Sequence, residues 1–290
     1  MKNLYLILII AFLSACTTDV ALDIPEAADM IVVEGKIEQG GLPRIVLTKS
    51  IPYYAQIDSS TLINMFVTDA DYVRVTDDMG NSVDCFFKLD LQNFAAYYEP
   101  NDSTILGQVG HHYGLEIKVD TQLATAQTYI PEQITLDSLW FEAEVGDSLG
   151  FLYGHLTDPD TIGNNYRFFA KRLNKDGKFI APWGAPFDDK FINGQSFDFF
   201  YYRGIDANSL DPEDQDENAY YYRKGDTVVV KFTTLDSEHY QFWKTAEGAE
   251  ASSGNPFAAP ITPRSNIEGG YGIWGGYGVS YDTLICVENE

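Results

Sequence analysis

Short alternating runs of β-branched and polar residues, broken by turn formers at intervals of about ten positions, constrain this chain more than any other feature. Met30-Ile31-Val32-Val33-Glu34-Gly35-Lys36-Ile37 and Arg44-Ile45-Val46-Leu47-Thr48-Lys49 are two such runs. Between them, Glu38-Gln39-Gly40-Gly41-Leu42-Pro43 has the composition of a hairpin turn. Tyr72-Val73-Arg74-Val75-Thr76-Asp77 alternates, Asp78-Met79-Gly80-Asn81 turns, and a strand follows from Val83 to Leu89. Tyr113-Gly114-Leu115-Glu116-Ile117-Lys118-Val119 alternates again, Ala126 to Ile130 reads as a further short strand, and Ser60 to Val67 fits one helix. A period of two places every second side chain on one face, so these segments bury one side against a facing sheet. Several strands of this kind within about 100 residues predict a β-sandwich of immunoglobulin or transthyretin type over residues 28–131.

Pro131-Glu132-Gln133 is the expected boundary, and a second β-rich domain with one short helix is expected over 132–290. Ile134 to Glu144, Tyr153 to Asp158 and Tyr166 to Leu173 read as its first strands, and Asp226-Thr227-Val228-Val229-Val230-Lys231-Phe232-Thr233 is the clearest strand in the chain. Ser237 is placed to cap a helix running to about Ala251, with Tyr240, Trp243 and Ala246 at the spacing that packs one helical face on a sheet. The glycines of 269–278, interleaved with aromatic residues, suit tight turns and close sheet packing before a last strand from Tyr281 to Val287. The overall expectation is a mainly β protein.

The first residues tell a different story. Met1-Lys2-Asn3 is followed by a ten-residue apolar run, Leu4 to Leu13, and then by Leu13-Ser14-Ala15-Cys16. One positive charge, a short apolar core and small residues before a cysteine form the pattern of a lipoprotein signal peptide, 1–16, ending at a lipidated Cys16. The run is too short to span a bilayer as a helix. Residues 17–27 would then be a tether, and two or three acyl chains on Cys16 would hold the protein at a membrane. With no aspartate directly after Cys16, transport to an outer membrane is expected, with the periplasmic or cell-surface face left open.

The net charge of −24 is expected to repel phosphates, which argues against nucleic acid as a partner. Disorder is not expected, because the chain is 45% hydrophobic with 19 Tyr and 18 Phe, enough for substantial cores. Of three cysteines, Cys85 and Cys286 are left in an oxidising compartment, where they either pair or sit buried as free thiols.

Several segments together resemble one family, the Bacteroidetes lipoproteins catalogued as domain of unknown function 4249. They include Val32-Val33-Glu34-Gly35, Pro43 to Ser50, Ile134-Thr135-Leu136-Asp137-Ser138-Leu139, Asp189 to Gln195 and Gly225-Asp226-Thr227-Val228. The most specific are Asn255-Pro256-Phe257, Ser265-Asn266-Ile267-Glu268-Gly269-Gly270 and Gly272-Ile273-Trp274-Gly275-Gly276-Tyr277. The resemblance covers nearly all of the mature chain. It implies a cell-envelope lipoprotein from a family often encoded beside TonB-dependent outer-membrane receptors, and it brings no activity and no catalytic residues.

No nucleophile elbow, phosphate-binding glycine loop or His-Glu-x-x-His helix is present, so no catalytic residue, cofactor or metal ligand is assigned. Four histidines occur; the adjacent His111 and His112 would point to opposite faces of a strand, and His155 and His239 stand alone. Asp206, Asp211, Glu213, Asp214, Asp216 and Glu217 make an oxygen-rich segment without the order of a calcium loop, and an acidic mobile loop is the preferred reading. Its flanks are aromatic: Phe197, Phe199, Phe200, Tyr201 and Tyr202 before, Tyr220, Tyr221 and Tyr222 after. Such flanks either pair as strands burying one face or present the five tyrosines as a binding surface. Asp-Ser/Thr triplets at Ser103, Ser138, Ser148, Thr161, Thr227 and Thr283 resemble the O-glycosylation pattern of exported proteins in this phylum; Ser103 and Thr161, in turn-rich loops, are the candidates.

Three functions are carried forward. The first is an accessory or ligand-capturing partner of a TonB-dependent receptor, its ligand open. The second is an envelope glycan or peptide hydrolase, which needs a cleft with paired carboxylates. The third is a structural or adhesive surface module.

Overall fold

The computed structural model describes residues 30–51, 58–91, 95–146, 148–206, 209, 211–253, 255, 257–259 and 261–287. The expected signal peptide, Cys16 and the expected tether lie outside them. The chain is mainly β, as its alternation predicts. Strands β1 (Ile31–Glu38) and β2 (Arg44–Lys49) form the expected hairpin, followed by helix α1 (Ser59–Asn64), shorter than expected and capped by Asp58, whose carboxylate accepts from the Thr61 N–H. Next come β3 (Tyr72–Asp77), β4 (Ser82–Asp90), β5 (Ala95–Pro100), β6 (His112–Val119) and β7 (Gln122–Tyr129). The later strands are β8 (Ser138–Val145), β9 (Leu149–Thr157), β10 (Asn165–Arg172), β11 (Pro186–Asp188), β12 (Ser196–Tyr201), β13 (Tyr222–Arg223) and β14 (Thr227–Leu235). Helix α2 (Ser237–Ser252) precedes the last strand, β15 (Tyr271–Ile285). The cap of α2 is Asp236 rather than Ser237: its carboxylate accepts from the His239 N–H at 2.8 Å.

Eleven strands form one sheet in the order β11-β10-β14-β15-β1-β2-β5-β4-β3-β6-β7. The join between the two halves of the sequence is β15. Its first half runs parallel to β1, with Val32 opposite Tyr271 and Glu38 opposite Tyr277. From Tyr277 onward it runs antiparallel to β14, ending with Ile285 opposite Thr227. The glycine–aromatic run is therefore one continuous strand, and the close packing expected of its glycines is real. At Gly275 a Cβ would lie 2.2 Å from the His239 ring, so only glycine lets that imidazole settle on the sheet.

The outer edge of β7 returns to β15. Thr125 exchanges backbone hydrogen bonds with Glu268 (2.9 and 2.8 Å), and the Gly276 N–H donates to Thr128 Oγ1 at 2.7 Å. Asn266 works as a clasp: its amide donates to Gln127 O and Trp274 O and accepts from the Trp274 N–H. The first core is thus wrapped on itself and lined by Ile31, Val33, Ile45, Leu47, Val73, Val75 and Ile117, with Trp274 fully buried and its indole N–H on Tyr113 O.

The second core lies between β11-β10-β14-β15 and a four-stranded sheet in which β9 is flanked by β8 on one side and by β12 and β13 on the other. It is aromatic. Phe168 stacks on Tyr201 at 4.6 Å between ring centres, Tyr166 on Phe232 at 5.4 Å, and Phe199 on Phe232 at 6.2 Å. Helix α2 covers the opposite face of the large sheet through Tyr240, which packs with Leu235, Tyr277 and Val279. Cys85 sits in the first core and Cys286 in the second; both are free, and burial pushes each thiol up to about 12. Among the described residues no helix is long and apolar enough to cross a membrane.

Candidate binding face

The four-stranded sheet buries one face and shows the other to solvent. Along β9 the burial alternates, with Leu152 and Leu156 inward and Phe151, Tyr153 and His155 outward. Outward rings from neighbouring strands meet across the ladder: Trp140 is opposite Tyr153, and Tyr153 is opposite Phe200. Trp140 and Tyr153 are stacked, with ring centres 5.7 Å apart and planes 21° apart; Tyr153 and Phe200 are 5.5 Å apart. Phe200 touches Phe151 at 5.4 Å, and Phe151 stacks on Tyr221 at 5.0 Å. Tyr202 meets Phe151 and Tyr220 edge-on, at 6.2 and 6.4 Å. The result is a continuous aromatic strip on a solvent face, where an antiparallel sheet ordinarily carries polar residues.

Carboxylates border it. The Trp140 indole N–H donates to Glu142 at 2.6 Å, and the Tyr153 hydroxyl donates to Glu144 at 2.9 Å. Burial together with the Glu144 carboxylate pushes the Tyr153 hydroxyl up to about 12, so it remains a proton donor at any physiological pH. At the far end of the strip His155 Nδ1 is 2.5 Å from Asp198.

The five tyrosines expected to make a surface are divided. Tyr202, Tyr220 and Tyr221 lie on the strip, with Tyr220 57% exposed. Tyr201 points into the second core, and its hydroxyl donates to Ala185 O at 3.2 Å. Tyr222 is fully buried. Adjacent strand residues point to opposite faces, so Tyr201 and Tyr202 could not have shared one. β12 and β13 each pair with β9 rather than with each other. Trp140, Phe151 and Tyr153 complete the strip, and the alternation of β8 and β9 was the signal for them.

In the acidic segment Asp206, Asp211, Glu213, Asp214 and Asp216 are held in ion pairs. Arg172, 1% exposed, reaches Asp176 and Glu213 at 2.7 Å and Asp211 at 3.5 Å; Arg203 pairs with Asp214. Lys178 takes Asp206 at 2.9 Å and Arg223 takes Asp216 at 3.1 Å. Burial works against ionisation of Glu213 and Asp214, but the cations around Glu213, and the Ser209 hydroxyl together with Arg203 and Arg172 around Asp214, outweigh it and hold both carboxyls below the usual range. These oxygens converge on guanidinium and ammonium groups, not on a shared cation site.

Ser103 and Thr161 are exposed in loops, whereas Thr227 and Thr283 stand opposite ladder partners in β14 and β15. His111 is hydrogen-bonded to Asp78 and His112 stacks near Tyr129, so the pair diverges. His239 is buried, and burial holds its imidazole down at about 4. A polar groove of about 760 Å³ runs over β3, β6 and β7 and holds Glu116, Glu238 and Glu268.

No curated protein matches the chain. The family model of a domain of unknown function, DUF4249, matches residues 17–283, and the chain belongs to that family.

Proposed function

We propose that this is a lipid-anchored outer-membrane protein that captures ligand on the aromatic strip, as an accessory to a TonB-dependent receptor. The strip carries this reading. Seven rings lie together on this face, Phe200 and Tyr220 exposed and the other five half-buried. A partner that covers them removes their remaining contact with water, and tyrosine and tryptophan have little side-chain entropy to lose. The Leu13-Ser14-Ala15-Cys16 pattern supports the anchor, and the strongly negative charge disfavours phosphate-bearing partners. The test is mild detergent extraction of the tagged full-length protein from its own cells. A receptor is expected to co-purify, and Cys16→Ser is expected to release the protein from the membrane fraction. A clean monomer from wild-type cells would count against the receptor link.

The groove holding Glu116, Glu238 and Glu268 favours a second reading, an envelope glycan or peptide hydrolase. Glu116 already accepts from the Tyr72 hydroxyl at 2.6 Å. Under this reading Glu116→Gln, Glu238→Gln or Glu268→Gln abolishes turnover of cell-wall fragments; the absence of any turnover by the wild-type protein would dismiss it.

A further inference from the structure

We infer that the free edge of β8 takes up an extended, basic peptide segment as an added strand. The inference rests on the reading of the aromatic strip as a recognition surface and names the chemistry of the partner. Three observations meet at this edge. First, β8 pairs with β9 alone, and among the described residues nothing hydrogen-bonds to the far side of Ser138 to Glu144. An unpaired strand eight residues long offers its N–H and C=O groups as a template.

Second, the stack Phe200–Tyr153–Trp140 runs across the sheet and stops at β8. One face of the Trp140 indole lies on Tyr153; among the described residues no ring or cation lies on the other. A strand added to β8 would set one outward side chain against that open face. Third, Glu142 follows Trp140 on the same outward row and Glu144 stands at the register shift just beyond it; both are exposed, and among the described residues no lysine or arginine pairs with either. Elsewhere the molecule meets its buried or bordering carboxylates with cations, as at Asp176, Glu213 and Asp214.

Directly opposed residues on adjacent strands interact, so the pattern of the missing strand can be read from β8. Its outward residues would be a guanidinium or an aromatic ring opposite Trp140, then cations opposite Glu142 and Glu144. Its inward residues would be apolar, covering Leu139 and Ala143, which are only partly buried at the border of the second core. A negatively charged or phosphorylated segment would be repelled.

The test uses the full chain in detergent and an eight-residue peptide, Thr-Val-Arg-Val-Lys-Val-Lys-Val, labelled for anisotropy. It is set against a peptide of the same composition in blocks, Thr-Arg-Lys-Lys-Val-Val-Val-Val, and against the alternating peptide with glutamate for each cation. The alternating basic peptide is expected to bind, to slow hydrogen exchange at the amides of 138–144, and to bind about ten-fold more weakly to the double variant Glu142→Gln/Glu144→Gln. That variant keeps an acceptor for the Trp140 and Tyr153 donors and is expected to melt with the wild type. Equal binding of the block peptide, or binding without protection of the β8 amides, would overturn strand addition. So would no binding of the alternating basic peptide. If receptor capture still depends on the aromatic strip when the peptide fails, strand addition is wrong and ligand capture stands. If the peptide binds as described but no receptor is captured, the reverse holds.

Discussion

The two cores solve the same packing problem with different chemistry. The first is built from Ile, Val and Leu on alternating strands and closes on itself through the Asn266 clasp. The second interleaves Tyr166, Phe168, Phe187, Phe199, Tyr201 and Phe232 between two sheets and is bordered by the Arg172 and Arg203 ion pairs. Outside the aliphatic core, Arg74, Thr76, Glu116, Thr125 and Gln127 line a polar groove over β3, β6 and β7; the aromatic core has a second aromatic layer on its outside. Excess aromatic residues on the solvent side of β8 and β9 therefore do not follow from the needs of a β core, since the first half folds without them. They are the surface that the proposed partner would cover.

The comparison can be broken from the inside. Trp274→Ala removes a fully buried indole and the hydrogen bond to Tyr113 O, and is expected to cost about 4 kcal/mol in urea unfolding. Because β15 serves both cores, the loss should appear in a single transition; two separate transitions would show that the cores are independent. In the second half the weak point is charge. Arg172→Met leaves Asp176 buried without its guanidinium, at a cost of about 3 kcal/mol, and adding Asp176→Asn should recover part of it.

Acid sharpens the contrast at the junction. Burial pushes the Glu38 carboxyl up, but Lys231 and Lys36 together outweigh it and hold it down at about 2, against 4.5 for an ordinary glutamate. Its stabilisation is complete above pH 4.5 and is lost as pH falls towards 2. On Lys231 the balance runs the other way: burial and the nearby Lys36 outweigh Glu38 and lower the ammonium to about 8. His239, held at about 4 by burial, binds no proton in the folded state while the unfolded chain takes one up below about 6.5. Stability should therefore begin to fall as pH drops below 6.5, and His239→Asn should flatten the slope between 6.5 and 4 while leaving the Glu38 slope below it. An unchanged slope would remove His239 from the account of acid loss. The smallest expected effect is Trp140→Ala, about 1 kcal/mol from one lost ring pair, with any larger consequence confined to binding.

Much of this fold was legible because hairpins are local. The β1–β2 and β3–β4 pairs follow from alternation flanking turn residues, and the α2 helix from its spacing. β5 was missed because Ala95-Ala96-Tyr97-Tyr98-Glu99-Pro100 has no β-branched residue and ends in proline. The parallel pairing of β1 with β15 joins residues more than two hundred positions apart, and nothing local in either segment encodes it. The strip was half visible. Tyr202, Tyr220 and Tyr221 stood in the aromatic flanks; Trp140-Phe141 and Phe151-Leu152 are apolar at both positions, and only the parity they share with Glu142, Glu144, Tyr153 and His155 marks which member looks outward.

The most direct measurement is receptor capture by the tagged full-length protein, comparing wild type with a Trp140→Ala/Phe200→Ser/Tyr220→Ser variant whose thermal midpoint is checked first. All three side chains lie on the solvent side of the sheet, so the variant is expected to fold. The wild type should bring a TonB-dependent receptor through mild extraction and the folded variant should not. Equal capture by both would contradict the assignment of the aromatic strip as the binding face.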